Sequence, residues 1–106
     1  MLSKKKFIEK VQNKTHQWLP NAEVFLFGSR ARGTHNKFSD WDLLVLLNTI
    51  GVPFETETKL MDLFYELELE TGTIISPLIY SKEEWTHKYI GTPLYQNIER
   101  EGIRLQ

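Results

Sequence analysis

Gly28-Ser29-Arg30-Ala31-Arg32-Gly33-Thr34-His35-Asn36-Lys37-Phe38-Ser39-Asp40-Trp41-Asp42 is the stretch on which the fold turns. Two apolar runs bracket it, Val24-Phe25-Leu26-Phe27 before and Leu43-Leu44-Val45-Leu46-Leu47 after, each the length of a buried strand. The pattern predicts a strand, a tight Gly-Ser turn into a short helix, a polar loop, and a second strand opening on an Asp-x-Asp pair. Glycine lets a ligand approach the backbone closely, and the first amides of a helix point outward without partners. Ser29 adds a hydroxyl that can donate to a phosphate oxygen. Side chains two apart on a strand share a side, so Asp40 and Asp42 project together while Trp41 turns the other way. Two such carboxylates repel unless a cation lies between them, and hard oxygen ligands suit Mg²⁺. Each half alone has a plainer reading: a structural turn for Gly-Ser, and a capped turn beside a solvated acid for Asp-x-Asp.

Outward from this stretch, the chain reads as one small domain over residues 1–106, long enough to bury its own core. At 41% hydrophobic and 25% charged it has the composition of an ordinary globular protein. A net charge of −1 argues against a bulk electrostatic grip on nucleic acid or acidic membranes. The charge is unevenly spread: residues 1–37 carry eight Lys/Arg against Glu9 and Glu23, whereas the remaining five bases face twelve acids. A basic face near the Gly-Ser turn is one outcome, and solvated lysines are the other. Without cysteine, disulfides and thiolate metal sites are excluded. No apolar run approaches the eighteen residues of a membrane helix, and Phe7-Ile8 is too short for a signal peptide, so a cytoplasmic location is expected.

Residues 3–19 carry a helical stripe of Phe7, Ile8, Val11, Trp18 and Leu19, with Ser3 as N-cap and Pro20 as stop. Val24–Phe27 lacks polar alternation, which predicts a strand buried on both faces. After a loop at 48–53, residues 54–70 form a helix on Leu60, Leu63, Phe64 and Leu67. Glu68 and Glu70 oppose the dipole at its end, either as solvated residues or because acids are wanted there. Gly72 stops it, and residues 73–80 read as a third strand whose Pro77 demands an edge position or an interruption there. Ser81-Lys82-Glu83-Glu84 resembles a capping box opening a short helical turn through Trp85. A last helix spans 92–100, with Gly102 as its stop. The expected class is α/β (α+β): a small mixed sheet of at least three strands packed by helices.

Gly28-Ser29, ten residues, then Asp40-x-Asp42 and an apolar strand resembles the signature of the DNA polymerase beta-type nucleotidyltransferase superfamily. The fuller run Gly-Ser-Arg-Ala-Arg-Gly, followed by Ser-Asp-x-Asp-Leu, resembles its minimal nucleotidyltransferase branch. The resemblance implies that Gly28 and Ser29 hold the β/γ-phosphates of a nucleoside triphosphate, ATP by expectation. It implies that Asp40 and Asp42 coordinate Mg²⁺ in a two-metal arrangement. Arg30 and Arg32 would neutralise phosphate charge or remain solvated, Gly33 would end the short helix, and Ser39 would cap the turn ahead of the acids. The implied reaction is Mg²⁺-dependent transfer of a nucleoside monophosphate to an acceptor, with release of pyrophosphate. The acceptor would be a partner protein, often of HEPN type in a toxin–antitoxin pair.

One position departs from the family's pattern. A third carboxylate is expected on the following strand, and Ser76 stands there. Serine is a poor general base and a weak metal ligand. Glu68 and Glu70 are the nearest acids and would substitute only if the chain folded back. The second expectation is therefore a nucleotide-binding module without turnover, serving as an antitoxin or partner subunit. His16, His35 and His87 show no zinc-ligand spacing; His35 lies in the loop as a surface residue or a phosphate contact. Trp18, Trp41 and Trp85 read as core or interface residues rather than base-stacking platforms.

Overall fold

The strand after the acids organises the molecule. The computed structural model describes residues 2–106, with α1 (Lys4–Trp18), β1 (Glu23–Phe27), α2 (Ser29–Arg32), β2 (Trp41–Leu47) and α3 (Phe54–Thr71) in its first part. β3 (Ile75–Ser81), α4 (Lys82–Lys88), α5 (Pro93–Glu101) and β4 (Ile103–Arg104) complete it. The strands form one mixed sheet in the order β3-β2-β1-β4. β1 is antiparallel to β2 and to β4, while β3 runs parallel to β2 after the α3 crossover. The expected mixed sheet packed by helices is the observed one.

Helix boundaries follow local chemistry. Lys6 N donates to Ser3 Oγ, Glu84 N to Ser81 Oγ and Tyr95 N to Thr92 Oγ1, so α1, α4 and α5 each start on a side-chain cap. α3 ends on Gly72, which adopts the left-handed conformation (φ 67°) that glycine tolerates best. α4 runs to Lys88, beyond the short turn expected from the capping box.

The two faces of the sheet are covered unequally. On one, α1 and α3 pack Phe7, Val11, Leu60, Leu63 and Leu67 against Val24, Leu26, Leu43 and Val45, all fully buried. On the other, α4 and α5 bring Trp85 and Ile98 against Leu44 and Leu46. β2 is thus apolar on both sides, as its unbroken run predicts. β1 is not: Val24 and Leu26 are buried, but Glu23, Phe25 and Phe27 are only half-buried. The expectation of burial on both faces fails because Phe25 and Phe27 point to the thinner layer, which does not close over them.

Pro77 lies on the sheet's edge strand, as its missing N–H requires. Trp41 N donates to Ile74 O, which turns Ile74, Ser76 and Leu78 main-chain groups toward β2 and those of Ile75, Pro77 and Ile79 outward. The outward N–H of Ile75 donates to Glu68 Oε2 at 2.8 Å. Glu70 pairs with Lys14 of α1 at 3.3 Å. Both acids at the end of α3 therefore have structural partners. β4, two residues long, has no sequence signature of its own and was not anticipated. Among the described residues no helix is long and apolar enough to cross a membrane.

Candidate active site at the Gly-Ser turn

Phe27, Asp42 and Ser76 form a row across β1, β2 and β3 at matching register positions. Paired residues share a side of the sheet, so the Asp42 carboxylate and the Ser76 hydroxyl stand on one face with Asp40 two residues upstream. Ser76 Oγ donates to Asp40 Oδ2 at 2.8 Å. The serine thus occupies the position beside the acids, as a donor that orients one carboxylate and not as a third negative charge. Among the described residues no group of three His, Cys, Asp or Glu could hold a metal ion.

The turn meets the acids directly. Gly28 has φ 77°, and a Cβ on it would collide with Asp42 Oδ2. Both constraints select glycine here, one through backbone conformation and one through space. The Gly28 carbonyl accepts from Ala31 N and Arg32 N, which closes α2 and leaves the amides of Ser29 and Arg30 outside this ladder. Gly33, also left-handed at φ 79°, ends α2.

Burial raises the Asp42 carboxyl above the usual carboxylate range, the nearby Asp40 charge adds to the rise, and Arg32 opposes it. Such a carboxylate is relieved by a cation. Two hard oxygen donors on one face, with one orienting hydroxyl, fit a divalent cation that takes its other ligands from water and phosphate. Arg32 Nη1 is 3.0 Å from Glu101 Oε1, so α5 holds a counter-charge to the arginine whose charge acts on Asp42. Nothing in the sequence pointed to Glu101, which lies 69 residues away.

Arg30 is placed elsewhere. Its guanidinium lies over the Trp41 ring (4.5 Å), on the opposite side of β2 from Asp42, and its Nη2 donates to Ser39 O at 3.0 Å. Trp41 in turn stacks on Phe7 at 3.9 Å. Ser39 Oγ accepts from Asn36 N, closing the turn ahead of the acids as expected of it. The structure therefore brings together Gly28, Ser29, Asp40, Asp42 and, by charge, Arg32. Arg30 and Ser39 are joined to each other at the root of the loop. His35 is exposed in that loop, and His16 and His87 are exposed far from it in sequence.

Residues 4–105 match the family model of the nucleotidyltransferase domain. Among curated proteins, the chain is similar to a Methanocaldococcus jannaschii protein named "Putative protein adenylyltransferase MJ0141". The two are 32% identical over 82 residues, 77% of this chain and 76% of that protein. A second protein of that organism, MJ0604, with the same descriptive name, is 34% identical over 80 residues, 76% of this chain and 73% of its own length. Among solved structures, a toxin–antitoxin with AMP-PNP superposes with a TM-score of 0.66 at 20% identity, covering 93% of this chain and 72% of that one. A mutant of the toxin–antitoxin MntA-HpeT gives 0.65 at 20% identity, covering 100% and 73%. These structural likenesses speak for the fold.

Proposed function

The chain belongs to the nucleotidyltransferase-domain family, and from that premise we propose that it transfers a nucleoside monophosphate from ATP to a hydroxyl of a partner protein. The observation that carries this reading is the contact between Gly28 and Asp42, which puts a phosphate-grade turn and a cation-seeking carboxylate pair at one point.

In the proposed reaction the acceptor oxygen attacks the α-phosphorus, the bond from that phosphorus to the bridging oxygen of pyrophosphate breaks, and the acceptor proton passes to solvent. Gly28 and Ser29 hold the β- and γ-phosphates through backbone amides and the Ser29 hydroxyl. Arg32 adds positive charge on the same side, restrained by Glu101. Ser76 keeps the Asp40 carboxylate in one orientation. Arg30 and Ser39 act on the site by fixing the loop that carries Asp40. Asp40 and Asp42 are the residues that would hold Mg²⁺ together with the triphosphate, and the ion would supply Lewis-acid chemistry there. Ser76 brings no charge for a second ion, so a single cation–triphosphate complex suits this donor set better than a two-metal arrangement.

A protein acceptor is supported by the descriptive names of the curated relatives, and a toxin–antitoxin setting by the titles of the structural neighbours. A HEPN-type partner is the first acceptor to test. Ser76 also favours a second reading, a module that binds ATP without turnover. Incubation with α-labelled ATP, Mg²⁺ and the protein encoded beside this chain decides between them. Label on the partner that vanishes with Asp40→Ala supports transfer. Metal-dependent ATP binding without label on the partner supports the module, and ATP binding that ignores both Mg²⁺ and Asp42→Ala removes the proposed site.

A further inference from the structure

Behind the acids, on the Trp41 side of β2, lie two adjoining hollows of about 170 and 250 Å³. Both are lined by Arg30, Lys37, Gly72 and Thr73, and Trp41 borders the smaller. No carboxylate lines either of them. Neither Arg30 nor Lys37 has an acidic partner among the described residues, whereas Lys14, Arg32, Lys82 and Arg104 all do. Arg30 gives two hydrogens to the Ser39 carbonyl, which leaves three of the five donors a guanidinium carries. The Trp41 indole Nε1–H, on a side chain only 2% exposed, has no acceptor. A buried donor without a partner costs about 1–3 kcal/mol, and this one belongs to a side chain that borders the smaller hollow.

We propose that this cleft is a second ligand site, for a tetrahedral phosphate group held by Arg30 and Lys37 with Trp41 beside them. The group is inorganic phosphate or the phosphate of a nucleoside monophosphate. The site is separate from the Asp40–Asp42 face and does not depend on the transfer reaction being right. It has a route to that face all the same: Arg30 grips the carbonyl of Ser39, the residue before Asp40, so an anion that holds Arg30 also stiffens the approach to the acids.

Trp41 makes the test direct, because indole N–H signals in a ¹⁵N-labelled sample report one tryptophan each. Inorganic phosphate and, separately, AMP are titrated into magnesium-free protein, with the Trp18 and Trp85 signals as internal references. The signals are assigned with Trp→Phe variants. The expected result is a saturable shift of the Trp41 indole N–H, weakened about fivefold by Lys37→Ala at its exposed loop position and retained in Asp42→Asn. Equal affinity for both probes identifies free phosphate as the ligand, and preference for AMP identifies a nucleoside monophosphate. The proposal is overturned if neither probe moves the Trp41 signal saturably or if Lys37→Ala has no effect. It is also overturned if Asp42→Asn abolishes the shift, which would put the anion at the Gly28–Ser29 turn. The Ser29 backbone amide, followed in the same spectra with Mg²⁺ and AMP-PNP, reads the proposed catalytic site independently.

Discussion

The two faces of the sheet do different jobs with the same strand. Toward α1 and α3, β2 presents Trp41, Leu43, Val45 and Leu47 to a continuous buried cluster. Toward α4 and α5 it presents Leu44 and Leu46 to a small cluster, and beyond them the half-buried Asp42. Alternation along one strand thus separates packing from chemistry at adjacent residues, Trp41 and Asp42. A charged pair can exist where the second layer stops short, since the same carboxylates on the thick face would be dehydrated without partners.

Removing a carboxylate is the severest way to test that division. Asp40→Ala should reduce transfer by roughly 10²–10³-fold, the scale of losing a group that stabilises charge in the transition state. Its thermal midpoint should not fall, because the side chain is half-buried just ahead of β2 and belongs to neither packed cluster. A large loss of stability in calorimetry would mean that the acids are structural.

Matched core truncations come next. Leu63→Ala on the thick face should cost about 4 kcal/mol in urea unfolding, and Leu46→Ala on the thin face about 2 kcal/mol. The layer beside Leu46 is small and open enough to collapse around the lost volume. Equal costs would break the comparison.

Ser76→Ala probes the single hydrogen bond that links β3 to the acids. Loss of an orienting donor should weaken Mg²⁺–AMP-PNP binding about tenfold in calorimetric titration, with little change in stability. Ser76→Asp sharpens the same point. If the missing third acid limits turnover, this substitution raises the rate of transfer; if the serine is the site's own solution, it does not.

The smallest effect is the pH dependence of the metal-free protein. Asp42 holds its proton above the usual carboxylate range, chiefly through burial. Between the ordinary carboxylate pKa and this raised value the folded state binds more protons than the unfolded one. Stability therefore falls as pH rises through that window, and the loss persists above it. Asp42→Asn removes the effect. Its melting temperature should match the wild type in acid and exceed it at neutral pH, by less than the ~4 °C that 1 kcal/mol produces in a domain of this size. No divergence with pH would mean that Asp42 is better solvated than its surroundings indicate.

Much of this was legible in the sequence because it depends on local chemistry. The caps at Ser3 and Ser81, the stops at Gly72 and Gly102 and the edge position of Pro77 each follow from one residue and its neighbours. That the turn and the acids could meet at one edge of the sheet followed from the ten residues between Ser29 and Asp40. What escaped depends on packing at a distance. The half-exposure of Phe25 and Phe27 reflects how far α4 and α5 extend, which no residue in β1 encodes. Glu101 beside Arg32 and the stack of Arg30, Trp41 and Phe7 arise from the way three helices settle on the sheet. The two arginines look alike in sequence and end on opposite sides of it.

The edge of β3 carries a last consequence. An incoming strand needs main-chain donors and acceptors in turn, and here one outward N–H is spent on Glu68 while Pro77 has none to offer. Only Ile79 and, at the very end of the strand, Ser81 are left to donate, too little for a ladder to nucleate on. The β3 edge of the sheet is therefore a poor template for strand addition, which guards against edge-to-edge aggregation on that side. A protein brought to this side of the molecule must be recognised through side chains and not through its backbone.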